Sequence, residues 1–115
     1  MAIYMVDVLD HRSLIEERLS VYLMNDKEGM RRSMLQILLE RGECTTKELH
    51  ELLTEAGFEK TYRGICAILG SMNSKLGLLT ITTRSRSRIY QMKPECRDVV
   101  RYVMENYQSS GSEFD

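Results

Sequence analysis

Arg84, Arg86 and Arg88 alternate with Ser85 and Ser87. Guanidinium groups stay charged at physiological pH and take phosphate oxygens two at a time. Three of them in five residues, with no carboxylate nearby in the sequence, repel one another unless an anion intervenes. Phosphate is the natural partner. In an extended strand, period two would set all three on one side. A turn among them breaks the alternation but leaves them clustered. The bland alternative is a solvated hairpin tip that guards an edge strand against aggregation.

The arginines belong to a longer charge anomaly. Between Lys60 and Pro94 there is no acidic residue, while Lys60, Arg63, Lys75, Arg84, Arg86, Arg88 and Lys93 are basic. The chain holds 16 Lys+Arg and 17 Asp+Glu, so 9 basic residues face 17 acidic ones elsewhere. A positive surface on a negative body attracts polyanions on one side only. The acidic remainder is expected to face away from such a ligand.

The stretch 61–76 reads as a helix. With Ile65 in the core, a step of 3.6 residues per turn sets Arg63, Ala67, Gly70, Ser71 and Ser74 on the opposite face. All but Arg63 are small. Such a face lets a helix sit deep in a groove, or lets a second helix pack closely. Arg63, in the first turn, is placed to read a guanine edge. Thr61 and Tyr62 are expected on phosphate at the positive end of the helix dipole. Lys75, at the far end, is a phosphate contact at best.

Other reactive residue types carry less. His11 and His50 lie far apart, outside any ligand-spaced cluster with cysteine, so no metal is expected. Cys44, Cys66 and Cys96 lack pairing spacing and argue for a reducing compartment. Cys66, near basic side chains, invites a redox reading; an inert half-buried thiol is the simpler one. Glu16, Glu17, Glu48 and Glu51 look like solvated helix faces. No glycine-rich phosphate loop, nucleophile elbow or paired-carboxylate site appears, so neither catalysis nor a cofactor is expected. No small-molecule ligand is evident. Residues 1–9 are apolar but interrupted by Asp7 and lack a basic leader, and no apolar run is long enough for a membrane span. A cytoplasmic protein is expected.

The elements that must position these residues follow from periodicity. A single domain over 1–108 suits 115 residues that are 43% hydrophobic, with 109–115 a flexible tail. Eight methionines, one proline and no tryptophan suggest a Met-rich helical core. Residues 1–9 suggest a short strand or an arm. A helix over 13–24 has Ser13 and Glu16 at capping-box spacing and a stripe of Leu14, Ile15, Leu19, Tyr22 and Leu23. A second spans 30–41, with Arg31, Gln36 and Glu40 outward. Glu43 and Cys44 form an extended link, and Thr45 to Glu48 spells a capping box for a helix over 46–56 that buries Leu49, Leu52, Leu53 and Ala56. Gly57 stops it, and Phe58 plugs the core. After the helix at 61–76, residues 78–83 and 88–92 form a hairpin with its tip at Arg84–Ser87 and Tyr90 half-buried. Pro94 opens a last helix over 94–107, with Cys96, Val99, Val100, Val103, Met104 and Tyr107 on one side.

The order from Met30 to Met92 resembles the winged helix-turn-helix DNA-binding domain. The resemblance rests on the TTKELHELL helix, the turn through Gly57, the TYRGICAILGSMNSKLG helix and the LLTITTRSRSRIYQM hairpin. It covers over half the chain, which also looks like a small group of archaeal winged-helix proteins. The implied fold is mainly α with a small β-hairpin wing, its core at 30–92 and terminal helices at 13–24 and 94–107. The implied function is sequence-specific binding of double-stranded DNA by a transcription regulator. The helix at 61–76 would enter the major groove, and the wing would lie on the backbone or minor groove. Thr61, Tyr62, Arg63, Ser71, Ser74 and Lys75 would line the groove face; Arg84, Arg86 and Arg88 would be the wing contacts. A homodimer through the terminal helices would double the contacts. A protein-interaction module and a binder of structured RNA stay open beside this reading.

Overall fold

The structure, a computed structural model, describes the backbone of residues 2–106 and the side chains of residues 12–106. Its order is α1 (Ala2–Met24), α2 (Met30–Arg41), β1 (Glu43–Thr45), α3 (Thr46–Glu55), α4 (Tyr62–Leu76), β2 (Leu79–Arg84), β3 (Ser87–Met92) and α5 (Pro94–Asn106). This is a mainly helical α+β fold with a hairpin wing, as the sequence predicts. Tyr107 and the tail at 109–115 fall outside the described residues.

Helix α1 departs from expectation. It is one helix of 23 residues rather than an arm followed by a helix at 13–24. No Pro or Gly interrupts residues 2–24, so the helix runs on through Ser13. The Ser13–Glu16 spacing is therefore interior, and Ser13 caps nothing. Leu19, Tyr22 and Leu23 are buried, but Leu14 is 42% exposed and leaves the expected stripe.

Helix α2 starts without a side-chain cap on its own N-cap residue, Gly29. Asp26 supplies one from further back: its two carboxylate oxygens accept from the Arg31 and Arg32 amides at 3.1 and 3.0 Å. Arg31 does not face out as expected. Its guanidinium lies 4.1 Å above the Tyr22 ring and donates to the Tyr22 carbonyl at 2.8 Å. Arg97 of α5 donates to the Leu39 carbonyl at 2.7 Å, tying the last helix to the end of α2.

The extended link proves to be a strand. β1 pairs antiparallel with β3, giving a three-stranded sheet of order β1-β3-β2 rather than an isolated hairpin. Cys44 sits opposite Tyr90, and Tyr90 opposite Ile81. Tyr90 thus becomes a central core residue, 1% exposed, instead of half-buried. The core is continuous: Leu19, Met34, Leu38, Leu49, Leu53, Ile65, Leu69, Met72, Leu78 and Val103 meet in one cluster, with Phe58 and Leu52 partly buried against it. Ala56, expected inside, is exposed at the end of α3.

Candidate nucleic-acid interface

Thr45 fixes the start of α3. Its hydroxyl accepts from the Glu48 amide at 3.1 Å, and the Glu48 carboxylate accepts from the Thr45 amide at 2.9 Å. This is the reciprocal box read from the sequence. Those hydrogen bonds, chiefly the one from the Thr45 backbone, hold the Glu48 carboxyl below its ordinary pKa. The turn from α3 to α4 is held by His50, whose Nε2 lies 2.9 Å from the Lys60 carbonyl oxygen. His50 also meets the Tyr62 ring edge to face, centroids 6.2 Å apart. His50 is thus a structural residue of the turn.

Thr61 caps α4, its hydroxyl accepting from the Gly64 amide at 3.0 Å. Tyr62 and Arg63 follow, both exposed. Ala67, Gly70, Ser71 and Ser74 are exposed as well, so the small-residue face is bare while Ile65, Leu69, Met72 and Leu76 hold the core. A methyl group added at Gly70 would meet nothing within 4 Å. Thr61, Tyr62 and Arg63 therefore gather at one end of α4, with Ser71 and Ser74 two turns along. Lys75 stands apart, lining a groove with Leu14, Glu17, Arg18 and Val21 of α1.

The wing is fastened to α4 at its root. Asn73 accepts from the Leu79 amide at 3.0 Å through its side-chain oxygen, and the Lys93 amide donates to the Leu78 carbonyl at 2.8 Å. The tip is tighter than expected. Arg84 pairs with Ser87, leaving a two-residue turn at Ser85 and Arg86 with φ of 51° and 68°. Two successive left-handed residues match a type I′ hairpin, which follows strand twist but favours Asn and Gly. Every residue from Thr80 to Arg88 is exposed.

The turn breaks the one-sided alternation of the arginines, as expected, while the expected lack of nearby carboxylates needs correction. The register pairs Thr83 with Arg88 and Arg84 with Ser87. Opposed residues share a face and neighbours alternate, so Arg84 and Arg88 project from opposite faces of the hairpin. Nor is the region free of carboxylates in space. Arg84 lies 3.5 Å from Glu43 of β1, and Lys60 lies 3.9 Å from Glu28. The acidic remainder thus does not wholly face away. Both pairs are exposed and worth little energetically, but the first draws Arg84 toward β1. Glu43 and Glu28 were missed in the sequence because their partners, Arg84 and Lys60, are distant along the chain, while Asn73 was missed although Leu79 is only six residues on.

The thiols behave as structural groups. Burial pushes the Cys44 and Cys96 thiols above their ordinary pKa, and Cys66 is half-buried on α4. Among the described residues no cluster of His, Cys, Asp or Glu is arranged to hold a metal, and no helix is long and apolar enough to cross a membrane.

Comparison with known proteins brings in a relative and a family model. An uncharacterized protein of Archaeoglobus fulgidus is 37% identical over 94 residues, covering 82% of this chain and 96% of the relative. No solved structure matches. The family model DUF2551, described as a protein of unknown function, matches residues 19–100. That span takes in the face of α4, the wing and most of α5, and the chain belongs to the DUF2551 family.

Proposed function

We propose that this chain is a winged-helix protein that binds double-stranded DNA sequence-specifically as a homodimer and regulates transcription. One observation carries the reading: the face of α4 opposite the core is bare and, apart from Arg63 in its first turn, small. Gly70 in a helix interior costs about 1 kcal/mol relative to Ala, and among the described residues nothing lies within 4 Å of a Cβ placed there. A groove-entering helix accounts for that vacancy. Arg63 leads the helix into the major groove as the base reader, with Thr61 and Tyr62 on phosphates beside it. Arg86 and Arg88, on the exposed wing, have no acidic partner among the described residues and anchor the backbone or minor groove. Arg84 joins them when it leaves Glu43.

The test is fluorescence anisotropy on random duplex DNA at two salt concentrations. Wild type is compared with an Arg84→Ala/Arg86→Ala/Arg88→Ala variant. Five phosphate contacts per protomer give a slope of log K against log[salt] of about −4.5. The triple variant is expected to bind more weakly with a shallower slope. Equal affinity of the two proteins removes the wing from the interface. An affinity that hardly changes with salt points instead to a protein partner on the same bare face. Preference for duplex RNA over duplex DNA would point to RNA, since the A-form major groove excludes a helix.

A further inference from the structure

Helix α1 carries a second uncovered face. Leu14, Val21 and Met24 are 42%, 53% and 64% exposed. Leu14 and Val21 are seven residues apart, two turns along one side of the helix, with Glu17 and Arg18 between them. Neither Glu17 nor Arg18 has an ion-pair partner among the described residues. This face lines a groove of about 660 Å³ that Tyr22 of the same helix, Arg31 of α2, and Lys75 and Leu76 of α4 also line. An apolar stripe centred on an unpaired acid–base couple needs a partner that supplies the same couple reversed.

We propose that the occupant is a second copy of this chain, its α1 laid antiparallel in the groove about a two-fold axis between Glu17 and Arg18. The proposal rests on the homodimer in the reading above and names its interface. The sequence is self-complementary about that axis. In antiparallel register Leu14 meets Val21 of the other copy at both ends, and Glu17 meets Arg18 of the other copy twice at the centre. A two-fold contact must use one patch on both subunits, and this patch satisfies that condition in charge as well as in apolar character. Parallel pairing instead sets Glu17 on Glu17 and Arg18 on Arg18. Like charges in an interface are strongly unfavourable, which selects the antiparallel arrangement.

Sedimentation equilibrium of the full chain without DNA tests this. Wild type is expected to dimerise. Glu17→Arg and Arg18→Glu each create like-charge contacts, and each is expected to weaken the dimer about tenfold or more. An equimolar mixture of the two variants restores both ion pairs and is expected to return the dimer. That recovery also shows that both variants fold. Orientation is read with a short bis-maleimide in a Cys66→Ser background, since Cys44 and Cys96 are buried. A mixture of Leu14→Cys and Val21→Cys proteins should cross-link faster than either alone. A monomeric wild type, unchanged single variants, or rapid cross-linking of Leu14→Cys with itself would each overturn the interface. Because no DNA is present, such a failure leaves DNA binding through α4 and the wing standing, although a monomeric wild type also removes the homodimer from that reading, and loss of DNA binding leaves the dimer standing.

Discussion

Arg84 Nη1 lies 3.5 Å from Glu43 Oε1, joining one arm of the wing to the strand that leads into α3. Both side chains are more than 40% exposed, so the pair is a weak tether. It nonetheless sets where one wing cation rests, and a phosphate must compete with Glu43 for it. Replacing Glu43 by Gln removes the competitor and one negative charge near the DNA. Affinity for duplex DNA should rise, by up to about fivefold if the pair is worth up to 1 kcal/mol. The salt slope should steepen by about one unit if Arg84 gains a phosphate contact. Anisotropy titrations at several salt concentrations check both; an unchanged slope means Arg84 stays off the DNA.

Arg63 and the wing arginines are expected to fail in different ways. Arg63→Ala on a selected site should lose about 1–3 kcal/mol and relax the preference at one base position. Arg86→Ala or Arg88→Ala should weaken all sequences alike and reduce the salt slope by about one each. Selection from a randomised duplex library, run on each variant, separates the two patterns. If Arg63→Ala also weakens every sequence uniformly, Arg63 is a phosphate contact and the base reader lies elsewhere.

Gly70 separates stability from binding. Its backbone does not need positive φ, and an added methyl meets open space. Gly70→Ala should therefore stabilise the protein by about 1 kcal/mol, raising Tm by about 4 °C for a domain of this size. Gly70→Leu should fold equally well yet lose DNA affinity, because the larger side chain lifts the helix from the groove. Thermal melts and DNA titrations on the same preparations check the pair. A Gly70→Leu protein with unimpaired binding would show that this face does not enter the groove.

What the sequence made legible was local. The capping box at Thr45 and the apolar stripe of α5 act within a few residues, and they appear where expected, whereas the cap that Thr61 gives α4 was not read. The chain from 2 to 12 was misread because its apolar mixture suits a strand as well as a helix, and Ser13 imitates a cap. The pairing of β1 with β3 links residues more than forty positions apart, and no local pattern encodes it. Its consequences went unread with it: the burial of Tyr90 and the ion pair between Glu43 and Arg84. The opposite-facing arginines depended on the two-residue turn at Ser85 and Arg86, where non-glycine residues take positive φ against their usual preference.

The capping box of α3 should leave a mark on the pH dependence of stability. Hydrogen bonds from Thr45 hold the Glu48 carboxyl below its ordinary pKa in the folded protein. A folded-state pKa lowered below the unfolded value means that the unfolded chain binds the proton more readily. The stabilisation is then fully present above the unfolded pKa, near 4.3 for a free Glu. It is lost as pH falls through the lower folded value. Thr45→Ala deletes the side-chain half of the box and should cost about 1 kcal/mol near neutral pH. The Thr45 amide still donates to the Glu48 carboxylate, so its pKa returns only part of the way toward the ordinary value, and the acid-side loss of stability becomes somewhat shallower than in wild type. Thermal melts from about pH 3 to pH 7 check the slope. A variant that is destabilised equally at every pH would show that the box acts through the neutral hydroxyl alone, with no charge-dependent share from Glu48.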